Sequence, residues 1–211
     1  MMIETPAKDC ALCPRLVAYR IANQAQYPTF FNGPVPSFGP ISARFLVVGM
    51  APGVKGANRT GRPFTGDHAG ILLFETLIKY GFATGTYRAE PDDGVELLDT
   101  RIINAARCVP PQNKLETAEI NACNRFLAAE LAGLQRVRVI LSLGVDSHKG
   151  VLKALDLRAS RFPFGHGRFH QLSDGRVLAN SYHVSRYNTN TRRLTTEMFE
   201  DVIGKIKAAL G

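Results

Sequence analysis

A chain of 211 residues with 45% hydrophobic and 21% charged residues has an ordinary globular composition. It is long enough to bury roughly 70% of its unfolded surface without disulfide staples. Disordered, collagenous and coiled-coil classes are excluded, and no apolar run approaches the ~20 residues that span a bilayer. The first ten residues lack a basic cluster followed by an apolar core, so no secretory leader is expected and a cytoplasmic address is. Lys and Arg number 26 against 18 Asp and Glu, a net charge of +8. Such an excess either keeps a protein soluble or draws it to polyanions, whose phosphates release counterions on binding.

Residues 1–43 are rich in Pro, Gly and small polar side chains and predict a short helix over 13–25 followed by an ordered loop. The apolar run 44–50 reads as a buried strand. A glycine-rich turn, 51–66, leads into a helix over 67–80, with Gly81 at its C-terminal stop. Thr100–Asn104 is strand-like, and Thr117 is expected to cap a helix reaching Leu131, with Gly133 after it. A strand over 137–143, a helix over 147–155 and a strand at Val177–Ser181 follow. The closing helix, Thr196–Leu210, places Met198, Phe199, Val202, Ile203, Ile206 and Leu210 on one face. Strands alternating with helices predict a largely parallel sheet covered on both sides. No repeat or linker divides the chain, so a single domain over 1–211 is expected. Ligands of such sheets sit beyond the carboxyl ends of the strands. That gathers residues 50–66, the segment after Asn104 and the segment after Ser181 around one site.

Three constellations carry chemistry. The chain has four cysteines: Cys10 and Cys13 in a C-x2-C pair, and Cys108 and Cys123 spaced C-x14-C. Disulfides do not suit a reducing compartment. An iron–sulfur cluster, a zinc ion or four unrelated core thiols all fit this spacing. The loop 49–67 holds five glycines and two prolines between a strand and a helix, which lets backbone approach a ligand. It matches neither a Walker loop nor a dinucleotide fingerprint. Phe64 within it is either core or a platform for a planar ring. The segment 181–193 joins His183 to Arg186, Arg192 and Arg193 and to many small polar residues, a composition suited to phosphate and base contacts.

Together these segments resemble the uracil-DNA glycosylase superfamily, specifically its iron–sulfur-containing fifth, type B family. The loop 49–67 is similar to that family's first motif, with Ala51 where several sister families carry a polar catalytic residue. Asn104-Ala-Ala-Arg-Cys108 and the residues up to Lys114 resemble its central segment, and the run from His183 resembles its His-Pro-Ser-Arg-Gln-Asn-Thr motif. Val184 stands where Pro is usual, Tyr187 where Gln is common, and Arg192 where Gly is common. The resemblance spans Cys10 to about Leu194.

The resemblance implies a three-layer α/β/α sandwich with a mostly parallel central sheet. It implies a monofunctional glycosylase that flips uracil from DNA and hydrolyses its N-glycosidic bond, leaving an abasic site. In that reading Phe64 stacks on the flipped ring, Asn104 binds its Watson–Crick edge, and His183 donates to the oxygen that gathers charge. Backbone amides around Ala51 and Gly53 complete the pocket, and Asp67 either activates water or caps a helix. Ser185, Arg186, Tyr187 and Asn188 would contact DNA, and Cys10, Cys13, Cys108 and Cys123 would hold a 4Fe–4S cluster, with zinc as the alternative. Hypoxanthine, xanthine and 5-substituted uracils are implied as further substrates. No membrane or obligate protein partner is expected. Two rivals stand beside this reading: a non-catalytic, cluster- or zinc-stabilised nucleic-acid-binding module, and an electron carrier, which would have no use for the 49–67 loop.

Overall fold

The computed structural model describes residues 3–211. Helix α1 (Pro14–Gln26) precedes strand β1 (Phe45–Gly49), a one-turn helix α2 (Ala57–Thr60) and helix α3 (His68–Lys79). A two-stranded hairpin, β2 (Ala83–Thr84) and β3 (Glu96–Leu97), leads into β4 (Thr100–Asn104). Helix α4 (Thr117–Gly133), β5 (Val139–Leu143) and α5 (Val145–Ala154) follow. The chain ends through β6 (Phe169–Gln171), β7 (Val177–Ser181), α6 (Arg186–Asn190) and α7 (Thr196–Leu210).

The five-stranded sheet has the order β4-β1-β5-β7-β6, with β6 antiparallel and every other pairing parallel. Alternate residues of β1 serve opposite cores. Phe45 and Val47 pack with Leu141 against Leu73 and Phe74 of α3 and Phe199 and Ile203 of α7. Leu46 and Val48 pack with Ile103 and Ile140 against Leu127 of α4 and Val151 of α5. The strand is therefore apolar at every position because both faces are covered. The result is the expected α/β/α sandwich. Among the described residues no helix is long and apolar enough to cross a membrane.

Some sequence expectations need correction. Thr117 does not cap α4; Glu116 does, in a reciprocal capping box with Glu119, and Gly133 lies within the last turn rather than beyond it. The segment after His183 is not all loop, because α6 forms at Arg186 with the Ser185 hydroxyl accepting from the Asn188 N–H. Three strands, β2, β3 and β6, carry no apolar run and were not expected.

One buried charge network joins the layers. Glu130 of α4 is fully buried and accepts from Arg101 of β4 and from Arg107 just beyond it. Arg107 also donates to Ser37 Oγ at 3.0 Å and the Val35 carbonyl at 3.2 Å, fixing the N-terminal loop. Removing one member of such a network strands the rest. Glu130→Gln is expected to cost about 3–5 kcal/mol, read as a lowered urea midpoint with unchanged slope. A loss below ~1 kcal/mol would show that the guanidiniums find other partners.

Candidate functional site

The strand register brings Gly49, at the end of β1, beside Asn104, at the end of β4. A Cβ on Gly49 would lie 2.5 Å from Asn104 Oδ1 and 2.5 Å from Phe64 Cζ. Glycine is required here so that an amide and an aromatic ring can share the same corner. The Asn104 side chain is buried and makes no hydrogen bond within the described protein, so its donor and acceptor are free for a ligand.

Phe64 sits at φ +56°, a left-handed conformation costly for a bulky residue. Its surroundings enforce it. Buried Arg62 makes a bidentate pair with Asp93 at 2.9 and 2.8 Å and donates to Thr65 Oγ1 at 2.7 Å. The Tyr87 hydroxyl donates to the Phe64 carbonyl at 3.1 Å. Gly70 of α3 leaves the space, since a Cβ there would come within 1.9 Å of that carbonyl. Arg62, Gly70, Tyr87 and Asp93 are the residues that sequence reasoning missed. Their pairing spans about thirty positions, and only the small residue inside an otherwise bulky helix hints at it.

His183 follows β7, its ring centroid 6.1 Å from that of Phe64 with the planes 31° apart. The Asn188 amide donates to its carbonyl at 2.8 Å, and Gly144, at φ +94°, passes close behind it. Its imidazole makes no hydrogen bond within the described protein, and burial pushes its pKa below the usual 6.5. It is therefore neutral near pH 7, with one N–H to donate.

Asp67 caps α3, its Oδ1 accepting from the Ala69 N–H at 3.1 Å. Its other oxygen faces Gly53 and Gly56, where a Cβ would lie 3.2 and 2.3 Å away. Burial raises its pKa, and the Ala69 and Gly70 amides only partly oppose that. Capping and an open, desolvated carboxylate oxygen thus coexist in one residue.

These groups surround a cleft of about 1230 Å³ bordered by Ala51, Gly53, Asp67, His183, Ser185 and Arg186. Phe64 and Asn104 are buried and do not line it; Phe64 meets it through the ring of His183. Lys55, Lys114 and Arg186 stand on its lips without ion-pair partners among the described residues. His68 Nε2 and Thr189 Oγ1, 3.1 Å apart, link α3 to α6 across one end. Tyr187 projects outward, 71% exposed, and Asn188 turns inward to hold His183. Arg192, at φ +56°, occupies a left-handed position that favours glycine.

The cysteines meet elsewhere. Cys10, Cys13, Cys108 and Cys123 line one small cavity with Leu16 and Phe126. The Arg107 N–H donates to Cys123 Sγ at 3.4 Å. Burial and mutual proximity push the Cys13 thiol to about 11 and the Cys108 thiol to about 12. Among the described residues no three His, Cys, Asp or Glu side chains form a ready-made site for a single metal ion.

Comparison with known proteins identifies the family of the chain. Residues 36–207 match the family model of the uracil DNA glycosylase superfamily. The type-5 uracil-DNA glycosylase of Thermus thermophilus is 42% identical over 207 residues, covering 96% of this chain and 94% of the relative. That of Pyrobaculum aerophilum is 39% identical over 207 residues, covering 96% and 90%. A type-4 enzyme of Pyrobaculum aerophilum is 30% identical over a shorter stretch, 78% of this chain and 70% of the relative. The chain belongs to the uracil DNA glycosylase superfamily, in its type-5 branch.

Proposed function

We propose that residues 1–211 act as one domain that excises uracil from DNA by hydrolysing its N-glycosidic bond. The observation that carries this reading is that Phe64 meets Asn104 at the Gly49 corner and His183 on its other side, next to a cleft whose lips are basic. Unpaired lysines and arginines there suit the backbone of a DNA strand. A base extruded from the duplex would stack on Phe64 and exchange hydrogen bonds with the free Asn104 amide. Cleavage builds positive charge on the sugar and negative charge on the departing base. The neutral His183 N–H is placed to donate to the base oxygen that gathers this charge, with backbone amides near Ala51 and Gly53 completing the pocket. The desolvated Asp67, as a carboxylate, stabilises the sugar cation or takes a proton from the attacking water. Ala51 adds no polar group above the ring, so the pocket admits hypoxanthine, xanthine and 5-substituted uracils as well. The test is alkaline strand scission at an abasic site after incubation with uracil-containing duplex; an intact strand rejects the reading.

Four soft thiols lining one small cavity fit an iron–sulfur cluster, with zinc as the alternative. Cys10, Cys13, Cys108 and Cys123 would hold it, and it would tie the N-terminal segment to the α4 region without entering the reaction. Purified protein should be brown and carry iron on elemental analysis; stoichiometric zinc without iron sinks the cluster.

The chemistry predicts two separable substitutions. His183→Ala should slow single-turnover excision roughly 10²–10³-fold with little change in duplex affinity. Asp67→Asn keeps a good cap. A carboxyl whose folded pKa is raised costs the fold stability as pH climbs above the ordinary 3.8, and an amide removes that cost. Asp67→Asn should therefore slow excision about 10²-fold or more while thermal stability at neutral pH stays level or rises. A clear fall in melting temperature would mark Asp67 as a cap alone.

Tyr187, exposed at the start of α6, is the candidate to fill the gap left by a flipped base, a stacking contact of about 1–3 kcal/mol. Tyr187→Ala should slow excision from a uracil·adenine pair more than from single-stranded DNA, with uracil·guanine between. An unchanged duplex-to-single-strand ratio would assign the wedge to another residue.

A further inference from the structure

Arg20 of α1 is a buried cation without an anion. The residue is 7% exposed, and no acidic side chain pairs with it among the described residues. Its Nη2 donates to the Cys10 carbonyl at 3.1 Å, and its Nη1 is buried with no hydrogen-bond partner. An isolated guanidinium in an apolar pocket is strongly disfavoured, so its persistence calls for a compensating charge. Arg20 lines the cavity of the four cysteines.

The second arginine at this cavity is placed differently. Arg107 is satisfied by Glu130, Ser37 and Val35, with only its Nε unpartnered. It shares that one carboxylate with Arg101, and it offers the cavity a backbone N–H to Cys123. Arg20 is thus the arginine at this cavity that has no carboxylate partner among the described residues, own or shared.

Four thiolates around a metal group bring net negative charge into an apolar pocket. We propose that Arg20 is the buried counter-ion of that metal–thiolate group, holding its charge and thereby its metal. The assignment rests on the cluster reading above. Two costs cancel in it: the unpaired guanidinium and the unpaired thiolate charge each become tolerable in the presence of the other.

Wild-type, Arg20→Gln and Arg20→Lys proteins would be challenged with an iron chelator, following visible absorbance and iron per chain. Gln retains a donor for the Cys10 carbonyl but no charge; Lys retains both. Arg20→Gln is expected to lose iron roughly 10–100-fold faster than wild type, the usual effect of removing a partner just outside a metal's ligands. Arg20→Lys should stay close to wild type. Wild-type retention by Arg20→Gln would reduce Arg20 to a hydrogen-bonder and overturn the proposal. Equally fast loss from both variants would make shape rather than charge decisive and overturn it too. If Arg20→Gln fails to fold, Arg20→Lys decides alone: retention supports the proposal and rapid loss rejects it. Absence of iron from wild-type protein is a separate result that removes the cluster reading itself.

Discussion

At the end of β1, Gly49 leaves a space the size of a methyl group, and the site is assembled in it. Parallel pairing sets Gly49 opposite Asn104, so an amide arrives at the corner by register alone. The loop that follows then returns Phe64 to within contact of the same point. Register and the returning loop thus deliver two of the three groups, and strand β7, two places from β1 in the sheet, delivers His183 just beyond its last residue. Any side chain at Gly49 would push the amide and the ring apart, since neither has room to retreat in a close-packed core.

The cost of this arrangement is carried by its surroundings. Phe64 in a left-handed conformation is unfavourable by itself. The bidentate Arg62–Asp93 pair, the Tyr87 hydroxyl and the space at Gly70 together leave it no alternative. The Arg62 guanidinium also lies 5.2 and 5.4 Å from the ring centroids of Phe38 and Phe74, which locks the loop to the main core. Asp67 is a parallel case. A carboxylate held where burial disfavours its charge weakens the fold but is ready to meet a cation.

Central strands are legible in the sequence because burial on both faces leaves an apolar run, unbroken in β1 up to Gly49, interrupted by Ser142 alone in β5, and reduced to Ile102 and Ile103 in β4. Strand β6 was not, because Phe169, His170 and Gln171 form a half-exposed edge with no pattern to read. The capping of α4 was misplaced by one residue because Thr117 is the commoner cap, whereas the reciprocal bond with Glu119 needs Glu116. Glycine-rich spacing and the residues Asn104 and His183 mark the candidate site locally. What holds Phe64 did not announce itself, since Arg62 and Asp93 are 31 positions apart and their pairing is a product of packing.

On the proposed metal reading, the cysteine pocket and the cleft are not independent. The backbone after Asn104 continues the sheet pattern, with Ala105 and Ala106 donating to the Gly49 and Met50 carbonyls at 2.9 and 2.8 Å. Arg107 then anchors to Glu130, Cys108 enters the cysteine pocket, and the chain emerges at Pro110, Asn113 and Lys114 on the lip of the cleft. Gln112 and Asn113 both sit at positive φ, so this turn is conformationally demanding and has little regular structure of its own to fix it. A metal group that clamps Cys108 to Cys123 and to the N-terminal pair would set the starting point of that turn. Its contribution to catalysis would then be positional, through the wall of the cleft. Loss of metal should accordingly disturb Lys114 and its phosphate contacts before it disturbs the corner formed by Gly49, Asn104 and Phe64, which the sheet holds in place on its own.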